Sequence, residues 1–357
     1  MKNKEDIKAI LDYFQANEEV PLEFDNEAIE AAYQRNDETQ SLAIKILSIF
    51  GGILASFAFL GFLLIARLYE SGVGLLVLGI ICIAGALAIK KKYDKIIIDT
   101  ISVSSFIIGF LLLIYGFYQL EINCDTICCL FIVIAFTSIV IAQDYILSFL
   151  STLIVNGSIL TLILSNKYED IIHIYVSVLA LILSYFYLKE AKIVTINKSL
   201  SKLYNPIRIG LTFSFIAGFA FLGIRLINWF SPDFIWLSSV IIISVIIYLV
   251  SGLFDVLNIT KKRHKAVVYI FTVLVLLPTA FSPAVSGAIL IILLSFFVNY
   301  KTGFVLGVIA FIYFISQYYY DMNFTLLIKS ILLFSSGVLF LALYLFTRKK
   351  LTSNEKI

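Results

Sequence analysis

The sequence is poor in charge, with Asp, Glu, Lys and Arg making up 14% of 357 residues where about 25% is usual for soluble domains. It is poorer still in residues that carry metal and redox chemistry, with two histidines and four cysteines. His173 and His264 stand far apart in the chain, which excludes a polyhistidine metal centre. No GxxxxGK[ST] phosphate loop, no HExxH and no GxSxG turn occurs, which argues against ATP hydrolysis and against the common hydrolase sites. No long polar loop leaves room for an extramembrane catalytic domain. A chain that is not an enzyme, with no cofactor and no nucleic-acid partner, is the expectation.

What is abundant is apolar: 61% of residues fall in the set AVILMFWYC, and they come in runs of about 20, the span of a helix through a bilayer. The predicted class is an all-α polytopic membrane protein. Apolar runs bounded by charges and turn residues predict twelve spans near 46–66, 73–89, 96–118, 127–142, 145–165, 170–188, 207–228, 234–254, 266–281, 284–298, 303–318 and 324–346. The segment 266–298, with Pro278 inside it and Ser282 and Pro283 between its halves, also fits a re-entrant hairpin, which would reduce the spans to ten. Short, Pro-interrupted segments are the usual pointer to a transporter site.

Lysine and arginine in the short connections set the expected orientation. Lys90, Lys91, Lys92 and Lys95 follow span two; Lys189, Lys192, Lys198 and Lys202 follow span six; Lys261, Lys262, Arg263 and Lys265 follow span eight; Arg348, Lys349, Lys350 and Lys356 close the chain. With both termini cytoplasmic, all four clusters fall on one face. The opposite loops carry Glu70, Glu121, Asp125, Glu169, Asp170, Asp233 and Asp321, read as solvated loop carboxylates.

Residues 1–45 hold eleven acids against five bases, a net −6 that leaves +9 on the remainder. No cleavable signal peptide is read in this acidic, polar start. Asn3 and Asp25 are positioned to cap two short helices, one with Ile7, Ile10, Leu11 and Phe14 on one face, the other with Ala28, Ile29, Ala32 and Tyr33. The expected organisation is therefore an acidic cytoplasmic helical hairpin over 1–45, a first membrane half over 46–188, a basic linker over 189–206, a second half over 207–346 and a basic tail over 347–357. FAFLG at Phe57–Gly61 recurs at Phe219–Gly223. That offset of 162 carries span two onto span eight and suggests two parallel six-helix halves.

Charges within spans are the first functional candidates, because an ion in hydrocarbon must pair, snorkel or line a cavity. Lys329 in span twelve and Arg225 in span seven lie near the outer ends, with Asp321, Asp233 or Glu70 as possible neutralising partners. Asp99, one turn into span three, is a candidate proton-coupling carboxylate, with Lys95 at i−4 as its local partner. Asn156, near the middle of span five, is expected to bond a neighbouring helix. Cys124, Cys128 and Cys129 cluster with Asp125 in NCDTICC, a weak candidate for a soft metal ion, while Cys82 reads as packing. His173 and His264 are expected to be interfacial. Gln317 with Tyr318, Tyr319 and Tyr320 reads as an interfacial aromatic belt.

The stretch YYYDMNFTLLIKSILLFSSGVLFLALYL, residues 318–345, resembles the closing segment of an uncharacterised bacterial family of multi-pass membrane proteins classified as a domain of unknown function. Tyr319, Tyr320, Leu326, Lys329, Ser330 and Gly337 carry the likeness, and KILSIFGGILASFAFLGFLL, residues 45–64, is similar to the start of such proteins. The middle of the chain offers no matching motif. The resemblance implies a bacterial inner-membrane location and a partner more than an activity: members are often encoded beside a small membrane-anchored protein with a GDYxxLxY motif, which this chain lacks. Two functions follow as expectations, a transporter-like protein that binds or moves a small solute or lipid between its halves, and a non-catalytic scaffold subunit of an envelope complex. An intramembrane enzyme is the weakest reading, since no paired acid, base or nucleophile emerges.

Overall fold

The computed structural model describes most of residues 51–92, then 96–168, 170–223, 235–256 and 262–321, with scattered positions from 325 to 341. The acidic segment 1–45 and the basic tail 347–357 lie outside the described residues. So do Lys329 and Arg225.

The described chain is all helical. Its elements are α1 (Gly72–Lys92), α2 (Ile96–Gln119), α3 (Cys124–Ala142), α4 (Tyr145–Ser165), α5 (Ile171–Leu188), the short α6 (Glu190–Ile196), α7 (Lys198–Gly223), α8 (Ile235–Val256), α9 (Lys262–Leu276), a 3-10 turn (Leu277–Phe281), α10 (Pro283–Phe297) and α11 (Lys301–Asp321). Residues 57–63 are also helical. Among the described residues, eight helices are long and apolar enough to cross a membrane, and α10 is a shorter apolar one. The count of twelve spans is not established by these.

Helices α1 to α5 follow the apolar runs within a few residues, because turn residues and charges end each run. Asp144 opens α4 by accepting hydrogen bonds from the backbone N–H of Ile146 at 3.1 Å and Leu147 at 3.3 Å, satisfying donors the first turn leaves free. At the far end, Asp125 Oδ1 accepts from Ser165 Oγ and Asn166 Nδ2, both at 2.9 Å, tying the start of α3 to the end of α4. Five non-glycine residues, Arg67, Glu121, Gln143, Lys167 and Asn299, take left-handed φ between 46° and 56°; each sits in a tight connection between helices, where a left-handed residue ends a helix.

The segment 189–206, expected as a linker, is helical, formed by α6 and the first turns of α7. α7 starts nine residues before the apolar run because nothing in KSLSKLYN breaks a helix. Its Pro206 leaves one carbonyl without its usual donor.

Lipid-facing and buried positions separate cleanly. On α5, Ile174, Val178, Leu181 and Tyr185 are exposed while Ile172, Val176, Leu179, Ala180, Leu183 and Tyr187 are buried, an apolar exterior fit for acyl chains rather than water. The buried residues form two main cores. One joins α1, α2, α3 and the start of α4 through Ile83, Phe106, Phe110, Phe131 and Leu147. The other joins the end of α4 with α5, α7, α8, α10 and α11 through Leu160, Leu183, Phe215, Phe219, Ile246, Leu290 and Phe314. Helix α5 packs mainly with α7 and α8 and to a smaller extent with α4.

Helix α1 lies against α2 with Gly79 at the crossing. A Cβ on Gly79 would stand 2.9 Å from the carbonyl oxygen of Gly109, so only glycine permits this approach, as in small-residue crossings of membrane helices. At the interrupted segment the 3-10 turn is closed by its own hydroxyls: Thr279 Oγ1 donates to the Leu276 carbonyl at 2.6 Å and Ser286 Oγ donates to Thr279 Oγ1 at 2.8 Å. The unwound backbone is thereby satisfied within protein, and α10 behind it is the most deeply packed of the short helices, with Val285, Gly287, Ala288, Leu290, Ile291 and Leu294 buried.

Candidate functional site

The two cores meet where α4 packs on α7. On the meeting face of α4, Ser148, Ser151, Thr152 and Asn156 are buried at helical spacing, and Thr152 rests on Gly210 of α7. The hydroxyls of Ser148 and Ser151 are buried with no hydrogen-bond partner, an uncommon state for buried polar atoms. Asn156 departs from expectation: its Nδ2 donates to the Thr152 carbonyl of its own helix at 2.8 Å, and only its backbone carbonyl reaches a neighbour, accepting from the Tyr175 hydroxyl of α5 at 3.4 Å. In a medium without water, the nearest carbonyl one turn back is the readiest acceptor for a short amide. The α4 face is thus a polar seam inside an apolar protein.

At the lysine-rich end of this seam lies a buried cation that the sequence reading did not single out. Arg208, 4% exposed, stands on α7 level with the end of α5 and the start of α11. Its Nη1 donates to Glu190 Oε2 at 3.1 Å and to the Tyr204 hydroxyl at 3.3 Å, and its Nη2 donates to Asn205 Oδ1 at 2.7 Å. The rings of Tyr300, Tyr204 and Tyr187 lie 3.7, 4.8 and 5.5 Å from the guanidinium carbon, within range of cation–π attraction. Tyr187 is held by Thr212, hydroxyl to hydroxyl at 3.2 Å, and Gly303 makes room for it, since a Cβ there would be 2.7 Å from the Tyr187 hydroxyl and 2.5 Å from Ser295 Oγ. Arg208 Nε has no partner. A charge one residue inside a predicted span reads as a boundary; only α6 and the tyrosines show that it is enclosed.

Asp99 lies at the same end in a second ionic cluster. Its partner is Lys90, whose Nζ also stands 3.1 Å from Asp144 Oδ1. Lys95, the expected partner, lies outside the described residues. The Lys90 side chain is 8% exposed against 30% for Asp99, so the cation is enclosed by its carboxylates, which suits a clamp across α1, α2 and α4 better than a free proton carrier. Gln143, beside Asp144, accepts from Ser199 Oγ of α7 at 3.2 Å, so the α3–α4 turn also touches the helix that carries Arg208.

His173 stands in the first turn of α5, enclosed by protein rather than open to its surroundings. It is fully buried, with Nδ1 3.0 Å from Ser238 Oγ of α8 and Nε2 without a partner. His264 is exposed. Cys124 and Cys129 are exposed and Cys128 and Cys82 are not, all of them free thiols. Asp125 is engaged by Ser165 and Asn166, and among the described residues no group of three His, Cys, Asp or Glu side chains is placed to hold a metal ion. Tyr320 is exposed and its ring stands 5.6 Å from that of Tyr319.

Among the described residues, helices long and apolar enough to cross a membrane, with apolar exteriors and two interior cores, define a multi-pass membrane protein. The chain belongs to the family described as a domain of unknown function, DUF4401, whose model matches residues 41–350. Neither a curated protein nor a solved structure matches the chain.

Proposed function

We propose that this protein is transporter-like, binding or translocating a small solute or lipid along the seam between its two cores. The observation that supports this most strongly is the inner face of α4, where Ser148 and Ser151 are buried without partners beside Thr152 and Asn156. A protein that only holds its helices together gains nothing from burying hydroxyls it does not pair. A ligand moving past them supplies the missing partners. We read the chain as a twelve-span protein of a bacterial inner membrane with both termini cytoplasmic, so that the lysine-rich end faces the cytoplasm. In support, α9 with its 3-10 extension runs about 32 Å, enough to cross. The role is binding and passage rather than catalysis.

The rival reading is a scaffold subunit, partnered by a small GDYxxLxY-type membrane protein. It draws on the position of most described charges near helix ends. Native mass spectrometry of the full chain, released gently from its own membrane, separates the two. A co-purified small molecule held by the native chain and lost from Asn156→Leu supports transport. A stoichiometric small-protein partner, with no small molecule sensitive to Asn156→Leu, overturns it in favour of the scaffold.

A further inference from the structure

We infer that Arg208 is the receiving group for a phosphate-class oxyanion, and that Glu190 is a built-in carboxylate that occupies it until the ligand arrives. The inference rests on the reading of the seam as a ligand route, and it names the chemistry of what enters.

The guanidinium is the right group in the right condition. Arginine offers a rigid fork of donors matched to two oxygens of a phosphate, and here the fork is nine-tenths enclosed while Nε, one of its donors, is unused. Asn205 orients the fork through Nη2, and the Tyr300 face, 3.7 Å from the guanidinium carbon, holds its plane. The Tyr187 ring stands 5.5 Å from the guanidinium carbon, and its hydroxyl and Ser295 Oγ both lie against Gly303, which leaves buried polar groups on this side of the cation. Removing this arginine from water without a counter-charge is costly, so an empty site needs a stand-in anion.

Glu190 has the properties of a stand-in. Its carboxylate meets Nη1 at 3.1 Å, yet its side chain is 37% exposed against 4% for Arg208. It belongs to a seven-residue helix with no buried residue, set off from α5 at Lys189 and from α7 by the extended Asn197 (φ −157°). Such an element rests on α7 without contributing a residue to either core, and local opening of a segment with no buried side chain costs less than unfolding of the core. Four exposed lysines, Lys189, Lys192, Lys198 and Lys202, lie within or beside it along the chain, and Lys301 is exposed at the head of α11. That field draws anions of higher charge density than a single carboxylate. An anionic lipid headgroup and free phosphate both meet this description, and the shared chemistry is an oxyanion displacing Glu190.

The test is binding to the full chain in neutral detergent, followed by native mass spectrometry, with phosphatidylglycerol, phosphatidylcholine and inorganic phosphate as probes. The expected result is selective binding of phosphatidylglycerol over phosphatidylcholine, or binding of inorganic phosphate, tightened about tenfold by Glu190→Gln and lost in Arg208→Gln. Phosphatidylglycerol bound and not competed by inorganic phosphate identifies the lipid source; the reverse identifies the free anion; either supports the site. Because Arg208→Gln can also impair folding, Glu190→Gln decides: a merely structural ion pair predicts unchanged or weaker binding in that variant, and that result overturns the inference. Should Glu190→Gln change nothing while Asn156→Leu still strips a native ligand, the oxyanion assignment falls and the transport reading stands. Should Glu190→Gln tighten binding while Asn156→Leu leaves everything in place, the site stands without the route.

Discussion

The guanidinium carbon of Arg208 lies 3.7 Å from the centroid of the Tyr300 ring, a contact between α7 and the connection that leads into α11. It joins helices at the lysine-rich end through the stacking of a buried cation on an aromatic face. Tyr300→Leu should lower thermal stability in detergent by about 1–2 kcal/mol, whereas Tyr300→Phe, which keeps the ring, should leave it within about 0.5 kcal/mol. Equal losses in the two variants would mean that the hydroxyl, and not the stacked face, matters.

Lys90 between Asp99 and Asp144 makes a different forecast. Lys90→Met leaves two carboxylates facing one another and should cost about 3 kcal/mol, the low end of the range because Asp99 is partly exposed. Asp99→Asn alone should cost about 1 kcal/mol, since Asp144 still neutralises the cation. Adding Asp99→Asn to Lys90→Met should recover part of the loss. Additive losses, measured by thermal unfolding of the four proteins in one detergent, would show that the three side chains do not act as a unit.

These two clusters show what the sequence could and could not reveal. Helices α1 to α5 were legible because each apolar run ends in charges or turn residues, and alternation alone places the lysines at one end. Asp99 was legible as an acid one turn inside a span, but its partner was sought one turn away at Lys95, while the fold supplies Lys90 across the α1–α2 connection, nine positions back in the chain. Arg208 was illegible for a related reason. Its enclosure comes from Glu190, Tyr204 and Tyr300, residues that in one dimension read as linker, boundary and loop. Asn156 was rightly placed in the interior, yet its amide turned to its own helix. The division of the cores at α4 depends on which faces of α5 meet α7 and α8, and periodicity does not choose a partner helix.

The crossing of α1 and α2 leads to a test of packing alone. Gly79→Leu places a side chain where the Gly109 carbonyl and Leu113 already stand at about Cβ distance, so the helices must separate. Loss of at least 3 kcal/mol, or failure to accumulate in the membrane, is expected. Gly85→Leu, where a Cβ meets nothing within 4 Å, is the control and should be tolerated. If both behave alike, the close approach of these helices is not what holds the first core.

The proposed orientation is open to direct chemical reading through Cys124. Its thiol is free and exposed, at the end of α3 opposite the lysine-rich connections. On intact cells a membrane-impermeant maleimide should label Cys124 from outside, whereas a cysteine introduced as Ser199→Cys, in a background with the native cysteines replaced by serine, should label only after permeabilisation. The reverse pattern would place the lysine-rich end outside and with it the Arg208 site, removing the cytoplasmic setting proposed for it.

The two histidines offer an internal comparison of enclosure. His173 is fully buried with Nδ1 3.0 Å from Ser238 Oγ, while His264 is exposed at the start of α9. Diethyl pyrocarbonate should therefore modify His264 and spare His173 in the native protein, and reach both once detergent denaturation opens the second core. Ser238→Ala removes the one hydrogen bond seen on the His173 ring and should cost about 1 kcal/mol, without exposing the ring to reagent. Rapid modification of native His173 would mean that the α5–α8 contact opens to water, and the second core would then contain an aqueous path that begins at this histidine rather than at the α4 seam.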